Sequence, residues 1–266
     1  MMQAALLEGI LFSSEALPLV GDTERVQSYS NALQALGNTL ETHKEWSLMG
    51  SFITECPPGS AHNSCAEYRK RIDGAVILGL VHGRTMVPTN ASLSSAPLPT
   101  DVLVANTIRA YNKEFCSLYA LNQEESGNGR PGILYGRYAA DKYGGEDGGN
   151  PWVLITAALA NLLYQAASQV SHTALNLEER AAWKIALNDV GFSGEANDFI
   201  AAGDSVLVRL REHISAEDDM HLFEQIHRDT GLQYNAKDLT WSYAEVLNAL
   251  VARKMATKAS FKMFVV

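Results

Sequence analysis

Apolar residues recur at helical intervals along most of this chain. Val26, Tyr29, Leu33, Leu36 and Leu40 share one helix face, with Asp22 or Thr23 available as a cap. Val104, Ile108, Tyr111, Phe115 and Leu118 repeat the spacing, as do Ile200, Leu207, Leu210 and Ile214, and then Leu239, Tyr243, Val246 and Leu250. From Trp152 to Ala167 the chain is apolar nearly all round, which predicts a helix buried on most sides. Tyr68, Ile72 and Val76 suggest another helix, ahead of a less defined segment at Ile77 to Val81. Convincing alternating strands are missing. Polar loops are expected at 57–64, 88–100 and 124–132, and a glycine-rich one runs from Tyr143 to Pro151, where the proline can open the buried helix. The pattern predicts an all-α domain with its chemistry on loops at helix ends.

Composition narrows the function. The 266 residues carry 21 Lys+Arg against 30 Asp+Glu, a formal charge of −9. That balance, without clustered basic residues, excludes a nucleic-acid surface. With 47% hydrophobic and 19% charged residues the chain has the makings of a globular core. No uninterrupted apolar run reaches transmembrane length, so no membrane is expected as a partner. The opening Met1 to Gly9 has no basic stretch and an early Glu8, a poor export signal. Cys56, Cys65 and Cys116 form no C-x-x-C pair; Cys56 and Cys65 could close a short loop in an oxidising compartment, or all three could be idle thiols. The sequon Asn90-Ala91-Ser92 matters only in a secreted chain.

Seven histidines form no H-E-x-x-H and no cluster with metal-ligand spacing, so no metal and no cofactor is expected. Phosphate-loop and nucleophile-elbow patterns are also missing. What remains are two segments mixing acids, aromatics and Arg with turn residues. One is Gly136-Arg137-Tyr138-Ala139-Ala140-Asp141-Lys142-Tyr143, followed by the glycine loop and Asn150-Pro151-Trp152. The other is Glu224-Gln225-Ile226-His227-Arg228-Asp229-Thr230-Gly231, followed by Asp238-Leu239-Thr240-Trp241-Ser242-Tyr243. Such sets bind sugars: rings stack on C–H faces while Arg and carboxylates pair with hydroxyls. By spacing alone, core packing explains Trp152 and Trp241 equally well.

These segments resemble the glucoamylases of glycoside hydrolase family 15. The family reads G-R-Y-x-x-D-x-Y, then G-N-P-W, and near its end an S-E-Q motif followed by D-L-T-W-S-Y-A. The matches here are Gly136-Arg137-Tyr138, Asp141, Tyr143, Gly149-Asn150-Pro151-Trp152, Glu224-Gln225 and Asp238 through Ala244. Arg71-Ile72-Asp73, Leu78-Gly79-Leu80-Val81-His82 and Tyr119-Ala120-Leu121-Asn122 are similar to further family stretches. The resemblance implies an (α/α)6 barrel spanning residues 1–266 as one partial toroid, and an inverting hydrolase that releases glucose from non-reducing ends of α-1,4-glucans. Inversion needs two carboxyls roughly 6.5–9.5 Å apart. By resemblance Glu224 is the general base, and Arg137, Tyr138, Asp141, Tyr143, Trp152 and Trp241 contact sugar, Trp152 beside the leaving-group ring.

The sequence departs from the family in one chemically important place. The family's proton donor lies in a W-E-E motif, and the chain has none; Gln3 to Gly9 is similar to the family helix just after it. Ala139-Ala140 replaces the family's Pro-Glu, and the glycine loop is longer. The expected partner is an α-glucan or maltooligosaccharide, with a second chain covering an open barrel side. The alternative is a non-catalytic glucoamylase-like module that binds glucan or protein, as in phosphorylase kinase regulatory subunits; a helical enzyme of another α/α-toroid class would need motifs that are missing here. Compartment stays open: family relatives are typically secreted.

Overall fold

The computed structural model describes residues 23–50, 52–55, 72–83, 97–127, 132–145 and 147–263. Their elements are helices α1 (Thr23–Gly50), α2 (Gly74–His82), α3 (Val102–Leu118), α4 (Ala120–Gly127), α5 (Val153–Val170), α6 (Leu177–Ala186) and α7 (Ala196–Glu212). Strands β1 (Phe223–Ile226) and β2 (Gln233–Lys237) follow, then helix α8 (Thr240–Met263).

Helix α5 is the centre. Fifteen of its eighteen residues are buried, and α2, α7, α8 and β1 all pack on it. Close approach explains how so many elements fit. Alanines at 157, 158, 160, 166 and 167 keep the cylinder thin. A Cβ at Gly203 of α7 would lie 2.6 Å from the Tyr164 ring, and one at Gly74 of α2 would lie 2.6 Å from Ile155 Cδ1. Asn161, Gln165 and Gln169 interrupt the most apolar helix. The 18 residues of α5 have a mean hydropathy of 1.3, long and apolar enough to cross a membrane, yet 83% of that window is buried inside the protein.

Polar ties fix the helices about this axis. Arg253 of α8 grips Asp204 of α7 through two bonds of 2.6 and 2.7 Å, and the Tyr164 hydroxyl of α5 donates to the same carboxylate. The Arg253 fork holds the Asp204 carboxyl below its ordinary pKa, and burial pushes the Tyr164 phenol up. His82 at the end of α2 hydrogen-bonds the buried Glu245 of α8. The outer helices interlock through Trp183, fully buried, whose Nε1 donates to Thr100 O at 2.8 Å and whose ring meets Phe199 edge-on at 4.9 Å.

The helices over Val104–Leu118, Trp152–Ala167 and Ile200–Leu210 follow the apolar periodicity. Both α1 and α8 are helical where expected, but α8 buries Ser242, Glu245, Ala249 and Ala256 and leaves Leu250 of the expected face exposed. Four differences are informative. Ile77 to Val81 lies inside α2, which starts at Gly74 because Asp73 Oδ1 accepts from Ala75 N; Tyr68 and the loop at 57–64 fall outside the described residues, as do Cys56, Cys65 and Asn90. Helix α4 reaches Gly127, into the loop expected at 124–132. Helix α6 was not expected at all, although Asn176 and Glu179 form a reciprocal capping box at its start. The fourth is a two-stranded antiparallel hairpin, β1–β2, where no strand was expected. Its pairing joins residues by tertiary placement: Trp152 at the start of α5 bridges Gln225, and Ile226 N donates to Pro151 O at 2.9 Å.

Candidate active site

The site forms where the segment before α5 meets the hairpin. Residues 132–138 run extended past the N-terminal end of α5, pinned by the buried Asn122, which donates to Leu134 O and accepts from Leu134 N, both at 2.9 Å. Tyr135 O receives Trp152 N at 2.8 Å, and Arg137 O receives Gly74 N at 2.6 Å. A Cβ at residue 136 would run into the Tyr119 hydroxyl, so the position before Arg137 must be glycine. The backbone thereby delivers Arg137 to one place.

There its guanidinium is held by Asp141 four residues on, Nε to Oδ2 at 2.7 Å and Nη2 to Oδ1 at 2.5 Å. This is the bidentate fork that makes Arg–carboxylate pairs geometrically specific. Asp141 is 1% exposed and also accepts from Tyr143 N at 2.9 Å, while the Arg137 side chain keeps 30% of its surface open. Three rings flank the cation, with centroids 5.3 Å (Tyr138), 5.0 Å (Tyr143) and 4.9 Å (Trp152) from Cζ. Tyr143 and Trp152 lie 5.6 Å apart, tilted by 37°. Trp152 and Tyr138 are buried; Tyr143 is exposed.

Glu224 enters from β1. Its side chain is 7% exposed, and Oε1 accepts from the Tyr143 hydroxyl at 3.4 Å, whereas Oε2 is buried without a hydrogen-bond partner. Burial raises its pKa above the ordinary carboxylate range; the Tyr143 hydrogen bond, the Arg137 charge and the Ala236 backbone N–H oppose the rise. The hairpin geometry aims this side chain. Phe223 pairs with Lys237 and Gln225 with Tyr234, so Glu224 stands opposite two residues, Asn235 and Ala236. The extra residue is a bulge, and Asn235 takes the left-handed conformation it needs, φ 67°.

The block after the hairpin braces the strand. Ser242 Oγ donates to Phe223 O at 2.9 Å, Leu222 N donates to the Tyr243 hydroxyl at 3.0 Å, and that hydroxyl donates to Asp238 Oδ1 at 2.7 Å. Of the residues expected at the site, Arg137, Tyr138, Asp141, Tyr143, Trp152 and Glu224 therefore meet. Trp241 does not join their ring contacts: it is 52% exposed at the start of α8, one residue before the Ser242 brace. Asn150, Gln225 and Arg228, which lie in the two motif segments without an expected sugar contact, hold the arrangement together. The signal was present in Asn150, a buried polar residue inside a turn motif.

Among the described residues no group of His, Cys, Asp and Glu could hold a metal ion. Two clefts, of about 620 and 690 Å³, lie elsewhere, the first beside His82, Gln165 and Met255 and the second beside Asn112 and Ala202. At the Arg137 site a planar cation is clamped between a carboxylate and aromatic faces, and Glu224, its pKa raised by burial, stands beside them on a mainly helical frame.

The comparisons with known proteins specify it. The model of the glycosyl hydrolases family 15 matches residues 1–251, and the chain belongs to that family. A glucoamylase of Blastobotrys adeninivorans is 31% identical over 202 residues, which cover 68% of this chain and 31% of that protein. The structure of Saccharomycopsis fibuligera glucoamylase superimposes with a TM-score of 0.77 at 21% identity, over 96% of this chain and 54% of that one. Hormoconis resinae glucoamylase gives 0.70 at 26% identity, over 94% and 41%. The fold is that of the (α/α)6 barrel, and the chain spans between about a third and a half of the relatives it matches.

Proposed function

We propose that this chain carries the base side of an inverting hydrolase acting on the non-reducing ends of α-1,4-glucans. The observation that supports this most is Glu224, a buried carboxylate with one unpartnered oxygen and a raised pKa, next to Tyr143 in the Arg137–Asp141 clamp. Arg137 and Asp141 orient the terminal sugar, and the rings of Tyr143 and Trp152 offer stacking faces. Glu224 takes a proton from a water molecule as that water attacks the anomeric carbon opposite the leaving group. The product is the β-anomer.

A glycosidic oxygen leaves well only when protonated, and the chain contains no W-E-E motif to do this. Fluoride leaves without a proton donor. The test is hydrolysis of α-D-glucosyl fluoride, followed by NMR of the product anomer. The expected result is β-glucose, lost in Glu224→Gln, with slower or no cleavage of maltotriose. Maltotriose binding without any fluoride hydrolysis would refute the enzyme and establish the binding module instead.

The reading also implies a partner surface. Leu247, Leu250, Val251 and Met255 of α8 are exposed, at 60, 47, 53 and 50%, and Val251 and Met255 line a cleft that Asn161 and Gln165 of α5 also border. A helix that leaves this many large apolar side chains uncovered belongs inside a bundle. Further barrel helices supplied by a second chain are the proposed cover, and sedimentation equilibrium at increasing concentration checks it.

A further inference from the structure

The guanidinium of Arg228 makes more contacts than a surface arginine needs. It follows β1 by two residues, and its Nη1 donates to Asp147 O at 2.5 Å and Gly149 O at 3.4 Å, while Nη2 donates to Leu118 O at 2.8 Å. Its Cζ lies 5.3 Å from the centroid of the Tyr119 ring. Gly148 must be glycine beneath it, because a Cβ there would come within 2.8 Å of Nη1 and φ is +88°. Arg228 N donates to Asn150 Oδ1 at 3.0 Å, and Asn150 Nδ2 donates to Gln225 Oε1 at 3.2 Å. Asn150 is fully buried, as is Gln225, the immediate neighbour of Glu224.

These contacts close a ring. Asp147 and Gly149, at the far end of the glycine-rich segment, are bonded to Arg228. The near end of the segment lies against Asn150, Gln225 and Tyr234, the atoms nearest a Cβ built at Gly144. Tyr143, whose hydroxyl reaches Glu224, opens this turn, and Gly149 packs directly on Asp141. We propose that Arg228 and Asn150 are positioning residues, latching the glycine-rich turn to strand β1 so that Tyr143 and the Arg137–Asp141 clamp stand at a set distance from Glu224. The inference rests on the hydrolase reading above and adds to it a device that neither touches sugar nor moves a proton. The fork is essential to it: one planar group serves three carbonyls on two segments, which an ammonium cannot do.

Misplacing reacting groups by about 1 Å costs on the order of 100-fold in rate. The test is kcat/KM against pH for α-D-glucosyl fluoride hydrolysis by wild type, Arg228→Met, Arg228→Lys, Tyr143→Phe and the Arg228→Met/Tyr143→Phe double variant. A donated hydrogen bond favours the charged carboxylate, so removing it moves the acid limb of the profile to higher pH. Tyr143→Phe should show that shift. Both Arg228 variants should show it too, with kcat reduced roughly 10- to 100-fold, and the double variant should shift no further than Tyr143→Phe alone. The limb position does not depend on how much protein is folded, so a merely structural role lowers the amplitude and leaves the limb unmoved. That outcome overturns the latch, as does wild-type behaviour in Arg228→Lys or additive shifts in the double variant. Failure of the wild type to hydrolyse the fluoride overturns the hydrolase reading itself, and with it the catalytic part assigned to the latch.

Discussion

Gly149→Ala isolates the coupling between loop and clamp. Residue 149 has φ +62°, where a side chain costs about 1–2 kcal/mol. The added Cβ would also stand 2.8 Å from Asp141 Cβ and 3.0 Å from its Cγ and Oδ2. Asp141 cannot retreat easily, being held by two bonds from Arg137 and one from Tyr143 N. Overpacking against a fixed neighbour adds about 1–3 kcal/mol, so the total loss is roughly 2–5 kcal/mol. A domain has only about 5–15 kcal/mol in all. Gly145→Ala is the internal control. Its φ of +91° imposes the backbone cost, but a Cβ there has nothing within 4 Å. Urea denaturation of both variants therefore separates the steric part as their difference, expected at about 1–3 kcal/mol. Calorimetric titration with maltotriose should show affinity lost in Gly149→Ala and kept in Gly145→Ala. Equal stabilities and equal affinities for the two variants would refute the claim that the loop backbone sets the clamp.

Three further outcomes follow from the same structure. Glu224→Gln should melt at higher temperature than the wild type at pH 7, because a carboxyl whose pKa is raised by folding contributes stability at low pH and loses it as pH rises through that value; differential scanning calorimetry should show the gap closing below about pH 4. Asp204→Asn removes a carboxylate whose pKa is lowered by Arg253, so its cost, about 1–2 kcal/mol for a partly exposed pair, should be present at neutral pH and vanish on acidification. Asn235→Gly should leave urea stability nearly unchanged while Asn235→Ala costs about 1 kcal/mol, since only the left-handed bulge residue opposite Glu224 is affected.

Helices α3, α5 and α7 were legible because 3.6-residue periodicity is a property of neighbouring positions, and the Arg137–Asp141 pair was legible from the family motif. Helix α6 was legible too, had Asn176 and Glu179 been taken as a capping box. The hairpin was not. Phe223 to Ile226 is four residues without clean alternation, and its pairing depends on a turn with Gly231 at positive φ and on Pro151 and Trp152, more than seventy positions earlier. Trp152 itself could be core or sugar contact by spacing; in the fold it is buried and still flanks the Arg137 cation. Trp241 has equal aromatic character in the sequence but stays half-exposed and outside the ring cluster.

Residue order alone thus determined the helical frame and the family to which these motifs belong. Tertiary structure decided that Glu224 lies buried beside Tyr143, 81 positions away, that Asn235 aims it, and that Arg228 ties the two segments together. The division has a physical cause. Periodicity, capping and turn chemistry act between residues a few positions apart, whereas desolvation of a carboxylate and the register of a distant strand exist only after the chain has brought remote segments into contact.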